Sequence, residues 1–184
     1  MVGLPNFLTF LRMALIPVVI LLFYLQNQTG HYIAAGIFII ACITDYLDGY
    51  FARTYDQTTN LGRFLDPIAD KLLICSTLLL LVGFDHIKGL SLIPAIVILC
   101  REILVSGLRE FLAENPLSMP VTQLAKWKTG LQMIALSILI IAEPSADIFS
   151  LMNIGLLGLW VAAGLTLLTG YDYMKTGLKM VSSE

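Results

Sequence analysis

Charged side chains are scarce in this sequence. Of its 184 residues only 13% are Asp, Glu, Lys or Arg, while 58% are hydrophobic. A soluble domain carries about a quarter charged residues. That deficit excludes an ordinary soluble protein, and the length points to a single membrane domain spanning residues 1–184. Cysteine is also rare: Cys42, Cys75 and Cys100 lie far apart, and no C-x-x-C pair occurs. A zinc site or a disulfide framework is therefore not expected, and packing is the role left to the thiols. The formal net charge of −2 by itself predicts nothing about nucleic acid, and no nucleic-acid partner is expected. The first 25 residues lack a basic start and a small-residue cleavage site, and they carry Pro5 and Arg12 internally. They read as a retained first membrane helix, not a signal peptide. Asn27-Gln28-Thr29 matches a glycosylation sequon, but a three-residue match is common by chance and carries no weight.

What fills the chain is hydrocarbon in blocks. About 20 apolar residues cross a bilayer core of roughly 30 Å, and six segments approach that length: 4–25, 32–51, 67–84, 90–112, 124–142 and 148–173. The expected fold is all-α, an integral membrane bundle of six transmembrane helices. Of the eleven Lys and Arg residues, only Lys88 falls in the three connections on one side of this arrangement. The positive-inside rule then puts both termini in the cytoplasm, at the cytoplasmic (inner) membrane. Gly155, Gly158, Ala162 and Gly164 give the sixth segment a small-residue face. Such a face serves close packing within one chain or between two.

Against this background one interval stands out, D-Y-L-D-G-Y-F-A-R, eight further residues, then G-R-F-L-D-P-I-A-D, from Asp45 to Asp70. A carboxylate in or near a bilayer is costly unless it meets a partner or a cation. Residues three and four apart share a helical face. Asp45, Asp48, Gly49, Ala52 and Arg53 thus line one stripe, and Gly62, Asp66 and Asp70 line another. The short connection between them predicts antiparallel neighbouring helices with the stripes facing. Oxygen donors with little sulfur or imidazole nearby suit Mg²⁺ or Mn²⁺. Two such ions about 4 Å apart could be bridged by these acids and still take phosphate oxygens. Gly49, Gly62 and Ala52 leave room for a ligand, and Arg53 offers a planar donor fork. Ion pairing of Asp48 with Arg53, Asp66 with Arg63 and Asp70 with Lys71 accounts for one or two acids, not for four acids with two glycines in register. A proton relay would spread its acids through the membrane, whereas these cluster at one depth.

The interval resembles the signature of the CDP-alcohol phosphotransferase family, D-x2-D-G-x2-A-R-x8-G-x3-D-x3-D, at all eight fixed positions. The six-helix plan and the length fit as well. That resemblance implies transfer of a CMP-activated phosphate group to a second alcohol with release of CMP. It implies that Asp45, Asp48, Asp66 and Asp70 hold two divalent ions on the pyrophosphate. It further implies that Gly49, Ala52, Arg53 and Gly62 line the nucleotide pocket, and that Asp70 acts as general base on the acceptor hydroxyl. The family also implies a homodimer.

The acceptor has to be read elsewhere. R-E-I-L-V-S-G-L-R-E sets Arg101 and Arg109 about 80° apart on the fourth helix, close enough to converge on one ligand. Lys126 and Lys128, about 200° apart at the start of the fifth, cannot both point inward. Snorkelling to headgroups is the ordinary role of such cations. Arg101 lies inside an apolar run, however, and this favours an anionic acceptor. Within the family, these segments, together with P-N-x-L-T-x2-R at the start and D-P-I-A-D-K, resemble the branch that uses glycerol-3-phosphate. The implied donor is CDP-diacylglycerol, the acceptor sn-glycerol-3-phosphate, and the product phosphatidylglycerophosphate. Serine or inositol phosphate is the alternative acceptor. Asn6 and Thr9 either touch nucleotide or phosphate, or only start the first helix, for which Asn6 is a good cap. A small transporter or non-catalytic membrane subunit is the rival from another class.

Overall fold

The computed structural model describes residues 4–54, 60–114, 123–142 and 150–181. Six α-helices run through them: α1 (Leu4–Tyr24), α2 (Gln28–Thr54), α3 (Asn60–Gly83), α4 (Leu92–Glu114), α5 (Gln123–Ile141) and α6 (Leu151–Val181). A short 3-10 turn, Gly89–Ser91, precedes α4. Each apolar segment of the sequence falls on one helix. The largest differences lie at polar ends, where hydropathy gives no boundary. The α3 helix begins seven residues before Pro67, which sits inside it, and α6 continues past Tyr173.

Stretches of α1, α4 and α6 are long and apolar enough to span a membrane: Asn6–Tyr24, Gly89–Leu112 and Leu151–Gly177. The apolar part of α5, Trp127–Ile141, is shorter. The α2 and α3 helices join an apolar half to an acid-bearing end. The chain is thus a multi-pass membrane protein. Leu21, Leu79, Leu157 and Leu168 are each more than 60% exposed and form the lipid-facing surface, while Phe23, Phe38, Leu73, Ile74, Leu136 and Leu139 fill the centre. Lipid tails are as apolar as leucine, so close van der Waals packing, not expulsion of water, holds such helices together.

Two details show how the packing is set. At the α1–α2 turn, Gln26 adopts φ 47°, and the Asn27 carboxamide oxygen accepts the Gly30 N–H at 2.6 Å. Asn27 therefore caps α2. A Cβ on Gly30 would lie 2.9 Å from the Leu22 carbonyl oxygen, so this turn requires glycine. At the α5–α6 seam, a Cβ on Gly155 would lie 2.8 Å from Leu139, and one on Gly158 would lie 3.1 Å from the Ala135 Cβ. With buried Ala162, these glycines serve packing within the chain. Gly164 points away from the seam and is exposed.

The order of packing matters for the site. Among the described residues α1 packs against both α2 and α3, α5 packs against α2 and α6, and α4 packs against α6. Among the described residues α1 bridges α2 and α3; the acid ends of these two helices, where the sequence predicts that they face each other, lie largely outside the described side chains. The two acid stripes are thus joined by a third helix.

Candidate active site

The α1 helix supplies that join with a polar stripe. Asn6, Thr9 and Arg12 follow one another at spacings of three, so they share a face, and all three are buried, Arg12 completely. Arg12 Nη1 lies 2.7 Å from Asp45 Oδ1 on α2. The Thr9 hydroxyl donates to Asp66 Oδ1 on α3. Asn6 stands inside the first turn of α1 and not at its cap, which removes the capping role considered for it. A buried guanidinium in a membrane helix is tolerated only when paired, and Asp45 provides the pairing.

Asp70 lies one turn beyond Asp66 and is half-buried. Lys71 Nζ stands 3.7 Å from Asp70 Oδ2, an adjacent-residue ion pair of the kind anticipated from sequence. Across the bundle, Asp70 is within electrostatic reach of Glu102, Arg12 and Lys128. The carboxylate side of the site therefore meets the Lys128–Glu102 pair of α5 and α4 in one polar zone.

On α4, Arg101 points toward α6. Its Nη2 donates to Thr169 Oγ1 at 3.2 Å, and its guanidinium lies 5.8 Å from the centre of the Tyr173 ring. The Arg101 stem passes over Gly170, where a Cβ would come within 3.1 Å of Arg101 Cγ. Its Nε is buried and has no hydrogen-bond partner among the described residues. The neighbouring Glu102 carboxylate is buried and receives Lys128 Nζ from α5. Lys128 itself is only 2% exposed, so it is an inward-pointing lysine of α5. Gln132, one turn further along that face, is fully buried. Arg109 is exposed two turns further along α4, within electrostatic reach of Arg101.

Asp45, Asp66, Asp70, Gly62, Asn6, Thr9, Arg101 and Lys128 thus all lie on inward or partly buried faces, while Arg109 lies at the surface. Asp48, Gly49, Ala52, Arg53 and Lys126 fall on α2 and α5 but outside the described side chains. No group of three or more metal-ligating side chains is gathered among the described residues. By chemistry, three half-buried carboxylates suit a hard divalent cation. Both imidazoles belong to a separate aromatic cluster, His31 stacked on Phe23 and His86 tilted against both rings. The donor set therefore fits Mg²⁺ or Mn²⁺.

Sequence reasoning missed two participants. Arg12 counts from sequence as a topology-setting charge, yet it is the buried partner of Asp45. Glu102 receives no role there, although an acid inside an apolar run signals a partner by itself. Its partner, Lys128, is 26 residues away, a distance that no local pattern bridges.

Next to the acid end, a groove of about 570 Å³ runs between α2 and α5, lined by Ile39, Cys42, Ile43, Met133, Ile134 and Ser137 among others. Its lining is almost wholly apolar, and Cys42 stands three residues from Asp45.

A family model described as CDP-alcohol phosphatidyltransferase matches residues 2–168. The chain is 50% identical over 175 residues to a protein of Rickettsia typhi, covering 95% of this chain and 97% of the relative. It is 44% identical over 176 residues to one of Pseudomonas fluorescens, covering 94% and 89%. It is 33% identical over 217 residues to one of Cereibacter sphaeroides, covering 99% and 98%. All three relatives carry the name CDP-diacylglycerol–glycerol-3-phosphate 3-phosphatidyltransferase.

Proposed function

This chain belongs to the CDP-alcohol phosphatidyltransferase family, and we propose that it transfers the phosphatidyl group of CDP-diacylglycerol to sn-glycerol-3-phosphate, giving phosphatidylglycerophosphate and CMP. The observation that carries this reading is the closeness of the Asp70 carboxylate to the buried Lys128–Glu102 pair, which Arg101 also joins. A reaction between a pyrophosphate donor and a phosphorylated alcohol needs both parts in one place. The names of the relatives support the choice of donor and acceptor.

Asp45, Asp48, Asp66 and Asp70 would hold two divalent ions, Mg²⁺ or Mn²⁺. Bound there, such ions neutralise the charge of the pyrophosphate and of the departing CMP. Everything else falls to the chain. Arg12 holds Asp45 in place through its ion pair, and Thr9 orients Asp66 by donating to one of its oxygens. The cytidine nucleotide lies along Gly49, Ala52, Arg53 and Gly62, near Asn6. An acyl chain of the donor lies in the α2–α5 groove, which opens to lipid beside Asp45. Arg101 and Lys128 bind the acceptor's phosphate, the exposed Arg109 draws it in from the surface, Lys126 adds a further positive charge, and the Nε of Arg101 is a donor still available to it. With the phosphate held there, Asp70 takes the hydroxyl proton as that oxygen attacks the donor's phosphorus and the phosphorus–oxygen bond to CMP breaks. The site faces the cytoplasm, in keeping with the distribution of Lys and Arg, and the enzyme works as a homodimer in the inner membrane.

Purified protein in detergent, given CDP-diacylglycerol and glycerol-3-phosphate, should release CMP with Mg²⁺ or Mn²⁺ present. A chelator should stop the reaction, and either ion, added in excess, should restore it. CMP release unaffected by chelation would refute the carboxylate–metal assignment. No release under any of these conditions would favour a transporter or a non-catalytic subunit.

A further inference from the structure

Glu102 is a buried acid to which the reaction above gives no role. Its Oε1 is shared by two cations from different helices: Lys128 Nζ of α5 in direct contact and Arg101 Nη1 of α4 at 3.8 Å. The side chains are 9%, 3% and 12% exposed, for Glu102, Lys128 and Arg101. Two buried cations side by side repel each other, and both have long stems that could carry them to the surface. The shared carboxylate removes that repulsion. Arg101 is fixed further by Thr169 and by the Tyr173 ring. What is left at the site is one net positive charge, with Arg101 Nε unpartnered among the described residues.

We propose that Glu102 is a positioning residue, whose carboxylate holds Arg101 and Lys128 together as a preset clamp for the acceptor's phosphate. The inference rests on the reading of these two cations as acceptor ligands. A preset clamp avoids the ordering cost that two loose side chains would impose on each binding event. Glu102 touches neither substrate; it acts through the two cations.

The test measures KM for glycerol-3-phosphate and for CDP-diacylglycerol separately, with kcat referred to folded protein. Glu102→Gln keeps the shape and loses the charge. It should raise KM for glycerol-3-phosphate about tenfold, the effect of one charge-assisted contact, and leave KM for the donor unchanged. Glu102→Asp, which keeps the charge and draws the anchor back by one methylene, should raise it less. If either variant lowers only the yield or thermal midpoint and neither KM moves, Glu102 is structural and the proposal falls. A decrease in KM for glycerol-3-phosphate would mean that Glu102 competes with the phosphate, which also overturns it. Lys128→Ala and Arg101→Ala separate the two levels. If both leave KM for glycerol-3-phosphate unchanged, the acceptor reading itself fails and Glu102 with it. If they raise it and the Glu102 variants do not, only the Glu102 proposal fails. Should Glu102→Gln not survive purification, Glu102→Asp decides the matter alone.

Discussion

Asp70→Asn should lower turnover by about a thousandfold, within the range that a positioned acid–base group contributes, while CDP-diacylglycerol still binds. The substitution keeps the shape of the side chain and removes both its charge and its capacity to take a proton. Asp70 is singled out among the described acids by its surroundings. Asp45 is held by Arg12 at 2.7 Å and Asp66 by the Thr9 hydroxyl, whereas the ion-pair contact of Asp70 is Lys71 at 3.7 Å. It is also the acid with Glu102 and Lys128 in electrostatic reach, which puts it beside the Lys128 arm of the acceptor site. An acid strongly committed to a metal makes a weak base, so the least committed acid is the one suited to proton transfer. Turnover would be read as CMP release and donor binding by equilibrium titration with the lipid. Equal loss of both would identify Asp70 as a metal ligand first and remove it as the base.

The second large effect is expected at Arg12→Ala. The arginine is completely buried, and its loss would leave Asp45 with an uncompensated charge near the bilayer. Breaking a buried pair by removing one partner costs about 3–5 kcal/mol. The lower end applies here, because Asp45 is still 33% exposed and partly solvated. For a chain of this size, about 3 kcal/mol corresponds to a fall of roughly 10 °C in thermal midpoint. Activity should fall further than stability, because α1 is the link between the acid stripes of α2 and α3. Arg12→Lys should recover part of the stability, since the charge is retained without the planar fork. A variant with alanine at this position that melts and turns over like the parent would show the pair to be worth no more than a surface ion pair.

Much of the fold was legible because its signals are local. Six apolar blocks and a lopsided distribution of Lys and Arg need no knowledge of partners, and the structure has a helix at every block. The acid interval was legible for the same reason, since its residues share faces by spacing alone. The misplaced features depend on tertiary partners or on polar helix ends. The apolar block alone starts α3 at residue 67, while the helical spacing of Gly62, Asp66 and Asp70 already puts its polar start on a helix, as the structure has it. That α1 reaches both acid stripes, through Arg12 and Thr9, could not be read from spacing, because it depends on tertiary packing. Asn27 looked like a chance sequon and is the cap of α2, a role that needs the turn geometry to be seen. Glu102 and Lys128 show the same limit most plainly: each is visible as a costly intramembrane charge, and only the packing of α4 and α5 pairs them.

The central claim is that the acid end sets the CMP-releasing reaction while the buried cations of α4 and α5 select a phosphorylated acceptor. The most direct measurement supplies CDP-diacylglycerol and Mg²⁺ with glycerol-3-phosphate, serine or inositol phosphate in turn, follows CMP, and identifies the lipid formed. Release with glycerol-3-phosphate, with one phosphatidylglycerophosphate formed for each CMP, is the predicted result. Release with serine alone would contradict the claim, because a zwitterion makes no use of Arg101 and Lys128 as a phosphate clamp.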